Sequence, residues 1–120
     1  MFRSLFSQSS QNKQRVTVQQ WHPQELQQRL AEGDTTLELI DVRTPGEYQY
    51  DGHIAGSRLL PLSSLMQRIG ELPKDKTIVC ICRSGNRSYT ACEMLAGQGF
   101  EVVNLSGGMI GWKMSGLPHN

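Results

Sequence analysis

The chain has 120 residues, a length that suits one domain. Its formal net charge is +1 and 19% of its residues are charged, which excludes a strongly basic nucleic-acid binder as the default interpretation. No apolar run approaches the roughly 20 residues that a membrane helix needs. We therefore expect neither nucleic acid nor a membrane among its partners.

Three cysteines, Cys80, Cys82 and Cys92, lie close together in the sequence. An odd and clustered set argues against a secreted disulfide framework, so a reducing, cytoplasmic location is expected. The cysteines form no paired C-x-x-C motif, and the three histidines show no ligand spacing. The sequence therefore predicts no metal and no other cofactor.

The first residues differ in composition from the rest of the chain. Residues 1–14 are rich in Ser and Gln and contain no acidic residue, which predicts a flexible tail ahead of a domain at 15–120. A mitochondrial presequence is the alternative for this segment, because its apolar residues could line one side of a short helix.

The first part of the predicted domain contains a strand, a helix and a second strand. Residues 15–18 have the pattern of a short strand. Pro23 then stands at a tolerated first-turn position of a helix, with Leu26 and Leu30 on one side. Residues 37–42 form an apolar run that is typical of a buried strand.

Weaker signals follow in the middle of the chain. A long loop is predicted from Thr44 to about Gly56, because it begins with Pro and Gly. Residues 58–60 predict a short strand. Ser63 is a candidate cap for a helix that continues to residue 69.

The last third of the chain has the clearest pattern. Residues 77–81 predict a buried strand, and residues 88–96 place small or apolar side chains on one face of a helix. Residues 102–105 predict another strand, and residues 109–114 a short helix with Trp112 as its packing anchor. Strands that alternate with helices indicate an α/β fold with a mostly parallel sheet.

Cys82 directly follows the predicted strand at 77–81 and precedes a helix, where ligands of parallel sheets bind. It is followed by Arg83, Ser84, Gly85, Asn86, Arg87 and Ser88. Unpaired N–H groups of a helix start, together with Arg83 and Arg87, favour the thiolate and lower its pKa. Gly85 lets the backbone curl inward, so the loop amides can form a cradle around one sulfur atom.

Such a cradle would perform two tasks without a cofactor. It would activate Cys82 toward a sulfur donor and then stabilise the outer sulfur of a persulfide. Arg83 or Arg87 would hold the oxyanion portion of a donor such as thiosulfate, since a guanidinium group matches such oxygens in a forked geometry.

The loop at 82–88 resembles the active loop of rhodanese domains, and the resemblance extends over about residues 16–117. Matching blocks lie at residues 41–43, 47–48, 52–56, 99–100, 103, 105, 107–108 and 112. The resemblance implies a rhodanese-like three-layer fold, with a central five-stranded parallel sheet and helices on both faces. It also implies transfer of sulfane sulfur from a small donor such as thiosulfate to cyanide or a thiol acceptor. Cys82 would be the catalytic residue, and the amides of residues 83–88 would bind the transferred sulfur.

Other residues near the predicted strand ends have two interpretations. Asp41 and Arg43 would either line the site or form an ion pair that holds the following loop. Cys80 lies on the same face of its strand as Cys82, so it is either a packing residue or a resolving thiol. Cys92 lies on the apolar helix face and is interpreted as packing.

Three alternative functions use the same residues. Small cysteine phosphatases and arsenate reductases place an arginine after five intervening residues, whereas Arg87 follows Cys82 after four and Ser88 occupies the required position. A persulfide carrier would exchange sulfur only with a partner protein, a protein sulfur acceptor. A binding module is the non-enzymatic alternative, although inactive family members usually lack the loop cysteine that Cys82 provides.

Overall fold

A computed structural model of the protein describes residues 17–120. Within this range the strands are β1 (Gln19–Trp21), β2 (Leu37–Asp41), β3 (Arg58–Leu59), β4 (Thr77–Ile81) and β5 (Glu101–Leu105). They form one parallel sheet in the order β1-β5-β4-β2-β3. The predicted α/β class and the five-stranded parallel sheet are therefore confirmed. The predicted tail at 1–14 lies outside the described residues.

Four α-helices lie within the described range, three of them between strands and the fourth after β5. They are α1 (Pro23–Ala31), α2 (Pro45–Tyr50), α3 (Asn86–Ala96) and α4 (Gly108–Met114). The predictions for α1, α3 and α4 are confirmed, with α3 beginning two residues and α4 one residue earlier than expected. No helix among residues 17–120 has the length and apolar character that crossing a membrane requires.

The sheet separates two hydrophobic cores, because successive side chains of a strand point to opposite faces. Ile78 and Cys80 of β4 pack in one core, together with the apolar face of α3. Val79 and Ile81 pack in the other core, which contains the buried Trp112 of α4 and residues of α1. These clusters confirm the three-layer arrangement with helices on both faces.

The first strand differs from its prediction. β1 begins at Gln19, and residues 17–18 form no strand; residues 15–16 lie outside the described range. Pairing with β5 fixes the position of β1, with Gln19 opposite Val103 and Trp21 opposite Leu105. The prediction is therefore wrong for residues 17–18, where pairing with β5 rather than local β propensity sets the start of β1.

The predicted loop at 44–56 is wrong in its first half, which is the helix α2. The Thr44 hydroxyl accepts a hydrogen bond from the Glu47 amide at 3.3 Å, and a Glu47 carboxylate oxygen accepts one from the Thr44 amide at 3.1 Å. These two bonds form a capping box, and Pro45 takes the first helical position, where its missing N–H costs nothing. Capping therefore stabilises a helix of only six residues.

The predicted helix after Ser63 is also wrong. The chain forms two short 3₁₀ turns instead, Leu62–Ser64 and Ile69–Glu71. The amide of Leu62 donates to the carbonyl of Val42 at 3.0 Å, so this segment stays attached beside the sheet rather than winding into a helix of its own. Leu65 is fully buried against the core that α3 covers, which accounts for the apolar pattern.

Candidate active site

Cys82 lies at the carboxyl edge of the sheet, immediately after β4 and four residues before α3 begins. The residue is only 1% exposed. Its Sγ accepts a hydrogen bond from the Gly85 amide at 3.1 Å and lies 3.2 Å from the Ser88 hydroxyl oxygen. Gly85 has a φ of 102°, a left-handed conformation that favours glycine, and it turns the loop back toward the sulfur.

Burial and hydrogen bonding act on the Cys82 thiol in opposite directions. Burial raises its pKa, because desolvation disfavours the thiolate. The Ser88 hydroxyl and the amides of Ser88, Gly85 and Ser84 outweigh this effect, so the pKa lies below its ordinary value of 9.0. A thiolate with several donors aimed at it is a suitable nucleophile.

Asn104 of β5 supports the loop, and the sequence did not reveal this residue as part of the site. Its side-chain oxygen accepts a hydrogen bond from the Ser88 hydroxyl at 2.5 Å. Its nitrogen donates to the Gly85 carbonyl at 3.1 Å and to the Gln20 side chain at 3.0 Å. Asn104 therefore links Gly85 and Ser88, the two residues of the loop that contact the Cys82 sulfur. Its one available signal was a polar side chain within a buried strand.

The Ser88 hydroxyl faces both Cys82 and Asn104 but carries only one proton. A protonated Cys82 thiol can donate to the Ser88 oxygen while Ser88 donates to Asn104. When Cys82 is a thiolate, the hydroxyl can turn to the sulfur instead. The pair thus accommodates both protonation states without moving the backbone.

The other side of the loop packs against the start of α4. The amides of Met109 and Ile110 donate to the carbonyls of Cys82 and Arg83, at 2.8 and 3.0 Å. A Cβ atom on Gly108 would collide with both carbonyl oxygens. Because these carbonyls bond to α4, the loop amides are left to face the sulfur.

The two arginines of the loop have different surroundings. Arg87 forms a two-pronged ion pair with Glu47 of α2, with both N–O distances at 2.8 Å. The hydrogen bond from Arg87 lowers the pKa of Glu47 to about 2. Arg83 is exposed and has no ion-pair partner among residues 17–120. Arg87 therefore joins α2 to the start of α3, and Arg83 is the guanidinium group available to an incoming anion.

Asp41 and Arg43 form a buried pair at the end of β2. Two guanidinium nitrogens of Arg43 donate to the two Asp41 carboxylate oxygens at 2.9 and 2.8 Å, and both side chains are at most 1% exposed. Arg43 also donates to the Gly52 carbonyl at 2.8 Å. This pair holds the segment after α2, which favours the ion-pair interpretation. Arg43 additionally lines two surface depressions, one shared with Arg83 and the other shared with Arg87.

The side chains of the remaining candidate residues make no hydrogen bond to the Cys82 sulfur. Ser84 and Asn86 of the Cys82 loop are exposed. The Ser84 amide nevertheless contributes to lowering the pKa of Cys82. Cys80 and Cys92 are completely buried in one core. The hydrogen bond with Cys92, together with burial, raises the pKa of Cys80 well above its ordinary value. Among residues 17–120, no group of three or more His, Cys, Asp or Glu side chains is placed to hold a metal ion.

The fold and the site define a class: a three-layer α/β domain with a cysteine loop at the carboxyl edge of a parallel sheet. The family model of the rhodanese-like domain matches the sequence over residues 22–115. The chain therefore belongs to the rhodanese-like domain family, as the resemblance of its motifs predicted.

Several known proteins are similar to this chain. A sulfurtransferase of Allochromatium vinosum is 47% identical over 94 residues, which cover 78% of this chain and 86% of that protein. A putative sulfur carrier protein of Bacillus subtilis is 38% identical over 68% of this chain and 44% of its own length. The crystal structure of a rhodanese-related protein from Thermoplasma volcanium has a TM-score of 0.78 and 31% identity, covering 85% of this chain and 97% of that one.

Proposed function

We propose that the protein is a sulfurtransferase that carries sulfane sulfur as a persulfide on Cys82. The observation that carries this proposal is the convergence of the Gly85 amide and the Ser88 hydroxyl on Sγ, at 3.1 and 3.2 Å. Membership of the rhodanese-like family and the relative named a sulfurtransferase support the same activity.

In the first step, the Cys82 thiolate attacks the outer sulfur of a donor such as thiosulfate. The sulfur–sulfur bond of thiosulfate breaks, and sulfite leaves with the electron pair. The product is a Cys82 persulfide anion, so the charge before and after the step is the same. The negative charge moves from Sγ to the outer sulfur, one sulfur–sulfur bond away, where the surrounding loop amides would stabilise it as well.

In the second step, cyanide or a thiolate attacks the outer sulfur of the persulfide. The sulfur–sulfur bond breaks, its electron pair stays on Cys82, and thiocyanate or a new persulfide leaves. Donors aimed at Sγ stabilise the charge that returns to it, so the same hydrogen bonds assist both halves of the reaction. Neither step requires an added oxidant or a metal.

Intact mass spectrometry after incubation with thiosulfate tests this proposal. We expect the protein to gain one sulfur atom, peptide mapping to assign it to Cys82, and cyanide to remove it as thiocyanate. Cys82→Ser should gain no sulfur, whereas Cys80→Ser should keep at least half of the gain. Persulfide formation in Cys82→Ser would refute the assignment.

A persulfide carrier or binding module that serves one partner protein is the second candidate. The similarity to a putative sulfur carrier protein supports it. Full persulfide loading combined with slow transfer to cyanide and small thiols would favour this function over turnover with small molecules.

A small cysteine phosphatase or arsenate reductase receives less support. The position where those enzymes need an arginine is occupied by Ser88, which is buried and bonded to Asn104. Arg87, one position earlier, is paired with Glu47. Hydrolysis of a phosphate ester at a rate above that of Cys82→Ser would favour the phosphatase.

A further inference from the structure

A surface depression of about 400 Å³ lies beside the Cys82 loop. It is lined by Arg43, Asp51, Arg83, Met109, Ile110, Lys113 and Met114. Most of its lining comes from α4, whose first turn holds the carbonyls of Cys82 and Arg83. The helix that lines the depression is thus hydrogen-bonded to the backbone of Cys82, the proposed nucleophile. No step of the proposed reaction uses the depression.

Two exposed apolar side chains line this depression. Four large hydrophobic residues are exposed in the described part of the chain: Tyr50, Met66, Ile110 and Met114. Of these, Ile110 and Met114 belong to the lining, and Met114 is 83% exposed. Exposed apolar side chains that share one depression mark an interaction surface, whereas single exposed hydrophobics are ordinary.

The charges around the depression are mainly positive. Arg43 is neutralised by its buried pair with Asp41. Arg83 and Lys113 are exposed and have no carboxylate partner among residues 17–120, and Lys113 donates only to the backbone oxygen of Asp51. The two free cations exceed the one lining carboxylate of Asp51. A complementary occupant is therefore acidic, and it also carries an apolar side chain.

We propose that this surface docks a protein sulfur acceptor, which presents its thiol on an acidic segment containing an apolar residue. The proposal rests on the proposed persulfide chemistry of Cys82 and specifies which acceptor that chemistry serves. Arg83 and Lys113 attract the segment, and Ile110 and Met114 give its apolar side chain a contact. Contacts of this kind act mainly on the rate of association and on partner choice.

Sulfur transfer to matched peptides tests the proposal. The protein is first loaded with thiosulfate and separated from the donor, and intact mass spectrometry measures the loaded fraction. Two short synthetic acceptor peptides are then compared, each with one cysteine and two leucines, flanked by glutamates in one peptide and by lysines in the other. We expect the acidic peptide to remove sulfur about tenfold faster at low ionic strength, and the ratio to fall as salt is added.

Charge reversal on the surface should remove the preference. We expect Lys113→Glu to lower the ratio of the transfer rate to the acidic peptide over that to the basic peptide about tenfold. Met114→Glu should also lower this ratio. Lys74→Glu is the matched control, because Lys74 is also exposed and also donates to a backbone oxygen, that of Gln98. Lys74 precedes β4 and lines a different depression, so its reversal should leave the ratio unchanged.

The outcomes separate this proposal from the proposed function. Equal rates for the two peptides, or equal effects of Lys113→Glu and Lys74→Glu, overturn the docking surface even when Cys82 loads normally. A dimer that Met114→Glu dissociates would also overturn it, because the surface would then bind a second copy of the chain. Failure of the unmodified protein to load sulfur in the first stage would instead refute the persulfide function itself.

Discussion

The loop around Cys82 and the core around Cys80 place two thiols two residues apart in opposite environments. Cys80 is completely buried beside Cys92, and its pKa is raised well above the ordinary value. Cys82 is almost as buried, but N–H and O–H donors converge on its sulfur and its pKa is lowered. Burial alone therefore does not decide the state of a thiol here. The donors that appear where β4 ends make the difference.

The largest expected effect is the difference in alkylation rate between Cys82 and the other two thiols. We expect Cys82→Ser to reduce the rate of iodoacetamide incorporation at pH 7 by about 100-fold or more, because the thiolate is the reactive form and the pKa of Cys82 is lowered. Cys80→Ala and Cys92→Ala are the controls and should keep most of the rate. Peptide mapping by mass spectrometry measures the modification at each site, and rapid alkylation of Cys80 in the native protein would contradict the comparison.

The contact between the loop and α4 should be sensitive to a single methyl group. Gly108→Ala places a Cβ against the carbonyls of Cys82 and Arg83, at a φ of 55°. We expect it to lower the free energy of unfolding by about 2 kcal/mol or more, measured by urea denaturation. Gly46→Ala is the control, because its Cβ would meet nothing within 4 Å and the residue lies within α2. A Gly108→Ala variant as stable as this control would refute the close packing.

The hydrogen bond from Ser88 can be measured through the titration of Cys82. We expect Ser88→Ala to raise the Cys82 pKa by about one unit, since a hydrogen bond to a charged group contributes about 1.5–3 kcal/mol. The alkylation rate at pH 7 should fall about tenfold. Gln20→Ala is the control, because Gln20 is exposed and its side chain bonds to Asn104 rather than to Cys82, so it should leave the Cys82 pKa unchanged. A loss of stability in Ser88→Ala without a shifted Cys82 pKa would reduce Ser88 to a packing residue.

The ion pair between Glu47 and Arg87 should have the smallest effect. Arg87 holds the pKa of Glu47 at about 2, below the ordinary 4.5. The contribution of the ion pair to the free energy of unfolding is therefore complete above pH 4.5 and is lost as the pH falls through 2. We expect Glu47→Gln to lower the free energy of unfolding by about 1 kcal/mol at neutral pH, because the Arg87 side chain is two-fifths exposed. The difference from the unmodified protein should disappear near pH 2. A difference that is independent of pH would assign the effect to capping of α2 instead.

The sequence was sufficient for the elements whose local pattern and tertiary role agree. Residues 77–81 form β4 with the predicted bounds, because an apolar run between polar residues suits a strand covered on both faces. The helix α2 was missed because Pro and Gly indicate a turn, although Thr44 and Glu47 have the spacing of a capping box. The apolar pattern after Ser63 reflects burial in an irregular segment rather than a helix.

The loop cysteine and the donors around it could also be predicted, since they are consecutive in sequence. The partners of Arg87 and Ser88 could not, because Glu47 lies 40 residues before Arg87 and Asn104 lies 16 residues after Ser88. Only the fold brings them together. For the same reason the sequence suggested that either arginine would bind a donor, whereas the geometry leaves Arg83 as the unpaired one.

Direct titration of the Cys82 thiolate tests the central claim of this account. The thiolate absorbs in the ultraviolet, and subtraction of a Cys82→Ser titration isolates its signal from the other thiols. We expect a midpoint clearly below 9.0, because the amides and the Ser88 hydroxyl outweigh the cost of burial. A midpoint at or above 9.0 would mean that burial outweighs the hydrogen-bond donors at Cys82, and the account would be wrong.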